Sequence, residues 1–171
     1  MPQFIKDGRL QADSWLLLRP DESGALPLPG VAEGQSVIVP LASWLAGVEG
    51  WRMRSGAVGV YLSPDDDPSL LQPYLAELAL VAVDFPAFTD GRGYSLARLL
   101  RERYDYAGEL RAIGDVWADL IRPLWQVGFD AFLIKDGKVL DDVDYYNTFS
   151  DSYQVNYRQP LPLFRRRVTR Q

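Results

Sequence analysis

Three carboxylates and two arginines, Asp84, Asp90, Arg92, Arg111 and Asp115, cluster within 32 residues of this chain, and no histidine or cysteine accompanies them. Without an imidazole or a thiol, chemistry falls to Asp, Glu, Lys, Arg, Tyr, Ser or Thr, or to a bound cofactor. Asp84, Asp90 and Asp115 could act as acid and base or hold magnesium, an oxygen-ligated ion. Arg92 and Arg111 could clamp an anionic substrate, since a guanidinium offers a planar fork to an oxyanion. Gly91 and Gly93 flank Arg92 just before a helix, with Ser95 following. Backbone amides turned by glycines at a helix start favour sulfite, sulfate, phosphate or a carboxylate.

Each residue also has a purely structural reading. Gly91-Arg92-Gly93 is then a tight strand-to-helix turn, with Ser95 or Asp90 as the cap and Arg92 in a surface ion pair. Arg111 lies inside an apolar strand, where a charge needs a partner, and Asp84 at the end of the neighbouring strand is the expected one. Asp115 then caps the following helix. Asp65-Asp66-Asp67 before Pro68 reads as a solvated loop with a helix cap rather than a metal cluster.

The elements that must hold these residues alternate. Phe4 to Leu10 reads as a hairpin turning at Asp7-Gly8, and Trp15–Leu18 and Val37–Val39 as strands, separated by a Pro-, Gly- and acid-rich excursion over 20–36. Leu41, Trp44, Leu45 and Val48 have helical spacing, closed by Gly50. Strands follow at 57–62, 80–84, 109–113 and 131–134. Between them lie helical patterns at Leu71, Tyr74, Leu75 and Leu78, opened by Pro73; at Leu96, Leu99, Leu100 and Tyr104, with Arg98, Arg101 and Glu102 outward; and at Trp117, Leu120, Ile121 and Leu124, closed by Gly128 and shortened or kinked by Pro123. Lys135-Asp136-Gly137-Lys138 reads as another hairpin turn, and Tyr145, Tyr146, Phe149 and Tyr153 as a last helix.

Strand alternating with helix predicts an α/β fold of sequential βα units with a parallel sheet, resembling a partial βα barrel, plus a small N-terminal β-rich portion. An open parallel sheet is the alternative. Residues 1–157 read as a single α/β domain, with the β-rich portion at 1–52 and the repeat core at 57–134. Residues 158–171 read as a basic C-terminal arm. A partial barrel exposes sheet edges, so a homodimer or an N-terminal β cover is expected.

The net charge is −5, unevenly spread. Residues 158–171 carry five arginines and no acid, and the body carries 13 basic and 23 acidic residues. The arm is expected to dock onto its own domain, a second subunit or an acidic partner. The acidic body argues against nucleic acid. No apolar run is long enough to span a bilayer and no signal-peptide pattern opens the chain, so no membrane role and a cytoplasmic location are expected. No Rossmann fingerprint, P-loop or flavin signature occurs, and the sequence identifies no cofactor.

The runs DFPAFTDGRGYSLARLLRERY (84–104), GELRAIGDV (108–116), GFDAF (128–132) and YRQPLPLFRRR near the end resemble the bacterial domain of unknown function 934, from about Val37 to Arg167. That resemblance implies an association with assimilatory sulfite reduction and oxidoreductase chemistry. Where many members carry a cysteine before GFDAF, this chain reads WADLIRPLWQV, so no thiol role transfers to it. The reading that joins residues and resemblance is an accessory protein of sulfite reduction. It would bind a small oxyanion, or a partner such as sulfite reductase or another sulfur-assimilation enzyme. One alternative is an enzyme acting on a small anionic substrate at Asp84, Asp90, Arg92, Arg111 and Asp115. The other is a pure protein-interaction module.

Overall fold

The computed structural model of the protein describes residues 3–135, 154–162 and 165. Eight strands form one sheet: β1 (Gln3–Lys6), β2 (Arg9–Gln11), β3 (Trp15–Leu17), β4 (Ser36–Pro40), β5 (Val58–Leu62), β6 (Leu80–Phe85), β7 (Glu109–Gly114) and β8 (Ala131–Ile134). Their spatial order is β2-β1-β8-β7-β6-β5-β4-β3. From β3 to β8 every neighbour is parallel and the order never reverses, as expected for sequential βα units.

The sheet is mixed, however, rather than wholly parallel. β1 pairs antiparallel with β8, and β2 antiparallel with β1. Asp7 and Gly8 both take positive φ, 51° and 73°, which makes the tight hairpin turn and forces β2 back along β1. The hairpin then covers the free edge of β8, the N-terminal cover that the open edge called for.

The two outer strands, β2 and β3, are consecutive in the chain yet lie at opposite edges of the sheet. Only Ala12, Asp13 and Ser14 join them. A flat eight-stranded sheet would hold its edges about 34 Å apart at ~4.8 Å per strand. A three-residue linker spans at most about 14 Å. The sheet must therefore curl, and it forms a half-barrel with its edges tied by this linker.

Among the described residues the helices are shorter than the spacing suggests. The stretch expected to run from Leu41 to Gly50 breaks at Gly47 into α1 (Leu41–Ala46) and α2 (Val48–Arg52), and Gly50 lies inside α2. The pattern at Leu71 to Leu78 is a 3₁₀ segment over Pro68–Tyr74, in which Pro73 is internal rather than first. Asp67 caps that segment by accepting from the Ser69 N–H at 2.9 Å, and Asp66 accepts from the Ser63 N–H at 2.7 Å. α3 (Arg92–Arg98) passes into a π-helical turn over Leu99–Arg103. α4 (Ile121–Gln126) has six residues, with Pro123 in its first turn, where a missing N–H is tolerated.

All these helical segments cover the same face. Leu41 and Trp44, Leu71, Leu96, Ala97 and Leu100, and Ile121 and Leu124 share one core cluster with Val39, Val60, Leu62, Val81, Val83, Phe85, Leu110, Ala112, Phe132 and Ile134. The inner face carries a smaller apolar cluster of Ile38, Tyr61, Leu80, Ala82 and Ile113. Asp84 and Arg111 also lie on it, because each pairs across the β6–β7 ladder with a residue of that face, Ile113 and Ala82 respectively.

Arg101 is buried rather than outward. It continues the stripe Gly93, Ala97, Arg101 at four-residue spacing, while Leu99 is only half-buried. Its guanidinium donates to the carbonyls of Gly128, Tyr106 and Gly108 and pairs with Asp130. Asp130 also takes Arg158 at 2.7 Å, and the Tyr157 N–H donates to the Gln126 carbonyl at 3.1 Å, which fastens the start of the C-terminal segment. The turn expected at Asp136-Gly137 and the helix expected around Tyr145 to Tyr153 lie outside the described residues. Among the described residues, no helix is long and apolar enough to cross a membrane.

Candidate functional site

The carboxyl ends of the parallel strands form the mouth of the half-barrel, and this is where ligands meet βα folds. β6 is buried along its whole length, so its terminal carboxylate, Asp84, is only 8% exposed. Arg19, just beyond β3, reaches across the mouth and grips it with two bonds, Nη2 to Oδ1 at 2.6 Å and Nη1 to Oδ2 at 3.0 Å. The guanidinium lies 5.5 Å from the centre of the Tyr61 ring on β5. Hydrogen bonding to Asp84 raises the Arg19 pKa. Burial raises that of the Tyr61 hydroxyl, with Arg19 acting in the opposite sense. The Tyr61 hydroxyl makes no hydrogen bond to any described residue.

Gly114 brings β7 close to this pair. Its φ is +96°, and a Cβ there would fall 2.3 Å from the Phe85 carbonyl oxygen and 2.7 Å from Asp84 Oδ1. Only glycine allows that approach. The next residue, Asp115, organises the loop after β6 instead of capping a helix. Its carboxylate accepts from the Phe88 N–H at 3.1 Å, the Trp117 indole N–H at 3.0 Å and Lys135 Nζ at 2.9 Å. Those donors, Lys135 first, hold the carboxyl below its ordinary range. Phe88 packs on Trp117 at 5.3 Å between centroids and is 42% exposed.

Asp90 and Arg92 sit further out. Asp90 accepts from the Arg92 backbone N–H at 3.1 Å and from its side chain at 2.7 and 3.0 Å, and Asp65 takes another Arg92 nitrogen. Arg92 draws the Asp90 pKa down, and Asp90 draws that of Arg92 up. The guanidinium thus arrives already paired with two carboxylates. Gly93 serves packing: a Cβ there would lie 2.5 Å from the Phe85 ring. Gly91 has open space around it and negative φ, so nothing in its geometry demands glycine. Ser95 is exposed within α3 and does not cap it.

Arg111 does not join this mouth. It lies one pleat, ~6.6 Å, below Asp84 on the inner face, because it pairs with Ala82 while Asp84 pairs with Ile113. Its donors go to Asp13 at 2.9 Å and to Glu109 at 2.8 and 2.9 Å, and its guanidinium stacks 4.2 Å from the Phe4 ring centre. The expected Asp84–Arg111 pair is therefore replaced by Asp84–Arg19 and Arg111–Asp13/Glu109. Asp13 belongs to the three-residue linker between the sheet edges, so curling brings it in, and no local pattern ties it to Arg111.

Of the expected constellation, Asp84 and Asp115 lie at the ends of neighbouring strands with separate partners, Asp90 and Arg92 form a pair further out, and Arg111 is elsewhere. Arg19, Tyr61, Asp65, Lys135 and the Phe88–Trp117 pair are additions that the sequence reading did not make. Arg19 had a signal: it ends the apolar run Trp15–Leu18 as Asp84 ends the run 80–83, with opposite charge.

The model of the family described as "Bacterial protein of unknown function (DUF934)" matches residues 59–164. The chain belongs to this family. The match takes in Tyr61, Asp84, Phe88, Arg92 and Asp115, so most of the mouth falls within the family region, whereas Asp13 and Arg19 precede it. No curated protein matches the chain.

Proposed function

We propose that this DUF934 protein is an accessory protein of assimilatory sulfite reduction that docks a partner enzyme, sulfite reductase or another sulfur-assimilation enzyme, on the mouth face. The observation that carries the docking is Phe88. Its ring is 42% exposed yet fixed, stacked on Trp117 with its backbone held by Asp115. A preorganised exposed aromatic among charged pairs suits a protein interface, because little side-chain freedom is lost on contact. The link to sulfite reduction rests on the family resemblance. Oxyanion binding at Arg92 belongs to the same reading in modified form: an anion there has to displace Asp65 or Asp90. The test is retention of sulfite reductase from sulfate-starved bacterial cells on the immobilised protein, with a sulfite reductase assay in its presence and absence. Retention by the wild type and its loss in Phe88→Ala support the reading. Equal retention by both, or none by either, refutes the docking surface.

A second reading, an enzyme with a small anionic substrate, is favoured by one observation. The Tyr61 ring, whose hydroxyl makes no hydrogen bond to any described residue, stands beside the Arg19–Asp84 pair at the carboxyl ends of parallel strands. Tyr61 would be the acid or base and Arg19 the substrate clamp.

A further inference from the structure

The amino ends of β5 and β6 hold a second set of polar groups, on the side of the sheet away from the mouth. A cleft of about 460 Å³ is lined there by Trp44, Trp51, Arg52, Arg54 and Glu77 among others. Two N–H groups of its lining residues, Trp44 Nε1 and Arg54 Nε, are buried and have no hydrogen-bond partner among the described residues. Buried donors are paired in folded proteins, so two orphans on one cleft point to an acceptor that completes them.

The pairing of Arg54 points the same way. It is half-buried, and its one hydrogen bond among the described residues runs from Nη2 to the Gln35 carbonyl at 2.8 Å. It forms no ion pair among the described residues. Arg19, Arg52, Arg92, Arg101, Arg111 and Arg158 each have a carboxylate. Glu77 does not serve Arg54, because Arg52 takes both of its oxygens, at 2.8 and 3.0 Å.

Trp51 and Arg54 also line an adjoining cleft of about 610 Å³ whose walls include Leu26, Leu28, Ala46 and Met53. Leu28 and Met53 are 42% and 87% exposed, large apolar side chains left on the surface at this spot. A cationic, donor-rich compartment thus meets an apolar one at Arg54.

We infer that these joined clefts bind a small organic anion. Its carboxylate or sulfonate head would sit on Arg54 and Trp44, with its apolar body between Leu28 and Met53. This site is independent of the mouth and of the sulfite-reduction reading. The probe is octanoate, titrated into ¹⁵N-labelled protein while the indole N–H resonances are followed. Trp44 is assigned by its loss in Trp44→Phe. Octanesulfonate tests the alternative head group, octanol the apolar body alone, and inorganic sulfate the head alone. Saturable movement of the Trp44 resonance with octanoate or octanesulfonate, at least roughly tenfold weaker in Arg54→Gln, supports the site. Arg54→Lys keeps the charge without the Nε–H and is expected to bind with intermediate affinity. If Arg54→Gln does not fold, Arg54→Lys decides. Octanol binding as tightly as octanoate, an unmoved Trp44 resonance, or wild-type affinity in the Arg54 variant would each overturn the proposal and leave water as the acceptor of these donors.

Discussion

Replacing Arg111 by methionine tests whether an ion network inside the half-barrel holds the curled sheet. Arg111 is 1% exposed. Its guanidinium joins Asp13 of the edge linker to Glu109 of β7, and Lys6 of β1 also holds Glu109, at 2.8 Å. Methionine keeps most of the volume and the apolar contact with Phe4, so the loss is electrostatic. Asp13 and Glu109 would be left largely buried, with side-chain exposures of 20% and 12%, and only Glu109 would retain a cation. Breaking one side of a buried pair costs about 3–5 kcal/mol. Domains of this size are stable by ~5–15 kcal/mol, so about a fifth or more of the total would go. Urea unfolding followed by tryptophan fluorescence would show it, with a fall in melting temperature of roughly 6–20 °C. Adding Asp13→Asn to Arg111→Met should recover part of the loss, because the stranded charge is removed. A single-variant cost below about 1 kcal/mol, or strictly additive effects of the two substitutions, would refute the argument.

Arg101→Met should cost a similar ~3–5 kcal/mol, since three carbonyls lose their Arg101 donor and Asp130 loses one of its two arginines, whereas Arg98→Ala, which breaks an exposed pair with Glu102, should cost under about 0.5 kcal/mol; the same urea titrations compare them. Gly114→Ala should destabilise by at least ~2 kcal/mol, because positive φ and a 2.3 Å clash with a backbone carbonyl both oppose it, while Gly91→Ala should stay within about 0.5 kcal/mol in thermal melts. The Asp115 pKa is lowered by folding, so its contribution is full above the ordinary carboxylate range and is lost as pH falls through the lowered folded value. Stability profiles of wild type and Asp115→Asn should therefore converge at acid pH and separate toward neutrality, and parallel curves throughout would contradict the anchoring role.

The strand positions were legible because each buried strand is a short apolar run of its own. The one-way βα order followed from their alternation, and Asp7-Gly8 predicted its hairpin from φ preference alone. Helix quality was harder to read. Gly47 and the prolines at 68 and 73 act on backbone geometry, while the Leu and Trp spacing they interrupt still looks helical. Arg101 was misplaced because periodicity ranked Leu99 as the more apolar choice. What decides burial there is the set of carbonyls that the chain ends of Tyr106, Gly108 and Gly128 leave for a donor.

For the site, local sequence was enough to mark Asp84, Asp90, Arg92 and Asp115 as charges at strand ends, and to show that a buried Arg111 needed a partner. It could not choose that partner. Arg19 and Asp84 are 65 residues apart, and Asp13 and Arg111 are 98 apart. Each pair forms only because the eight strands curl until the two edges lie within the reach of three linker residues. Charge placement along a strand is written in the sequence. Which charges meet depends on the curvature and register of the whole sheet, and those are properties of all its strands together.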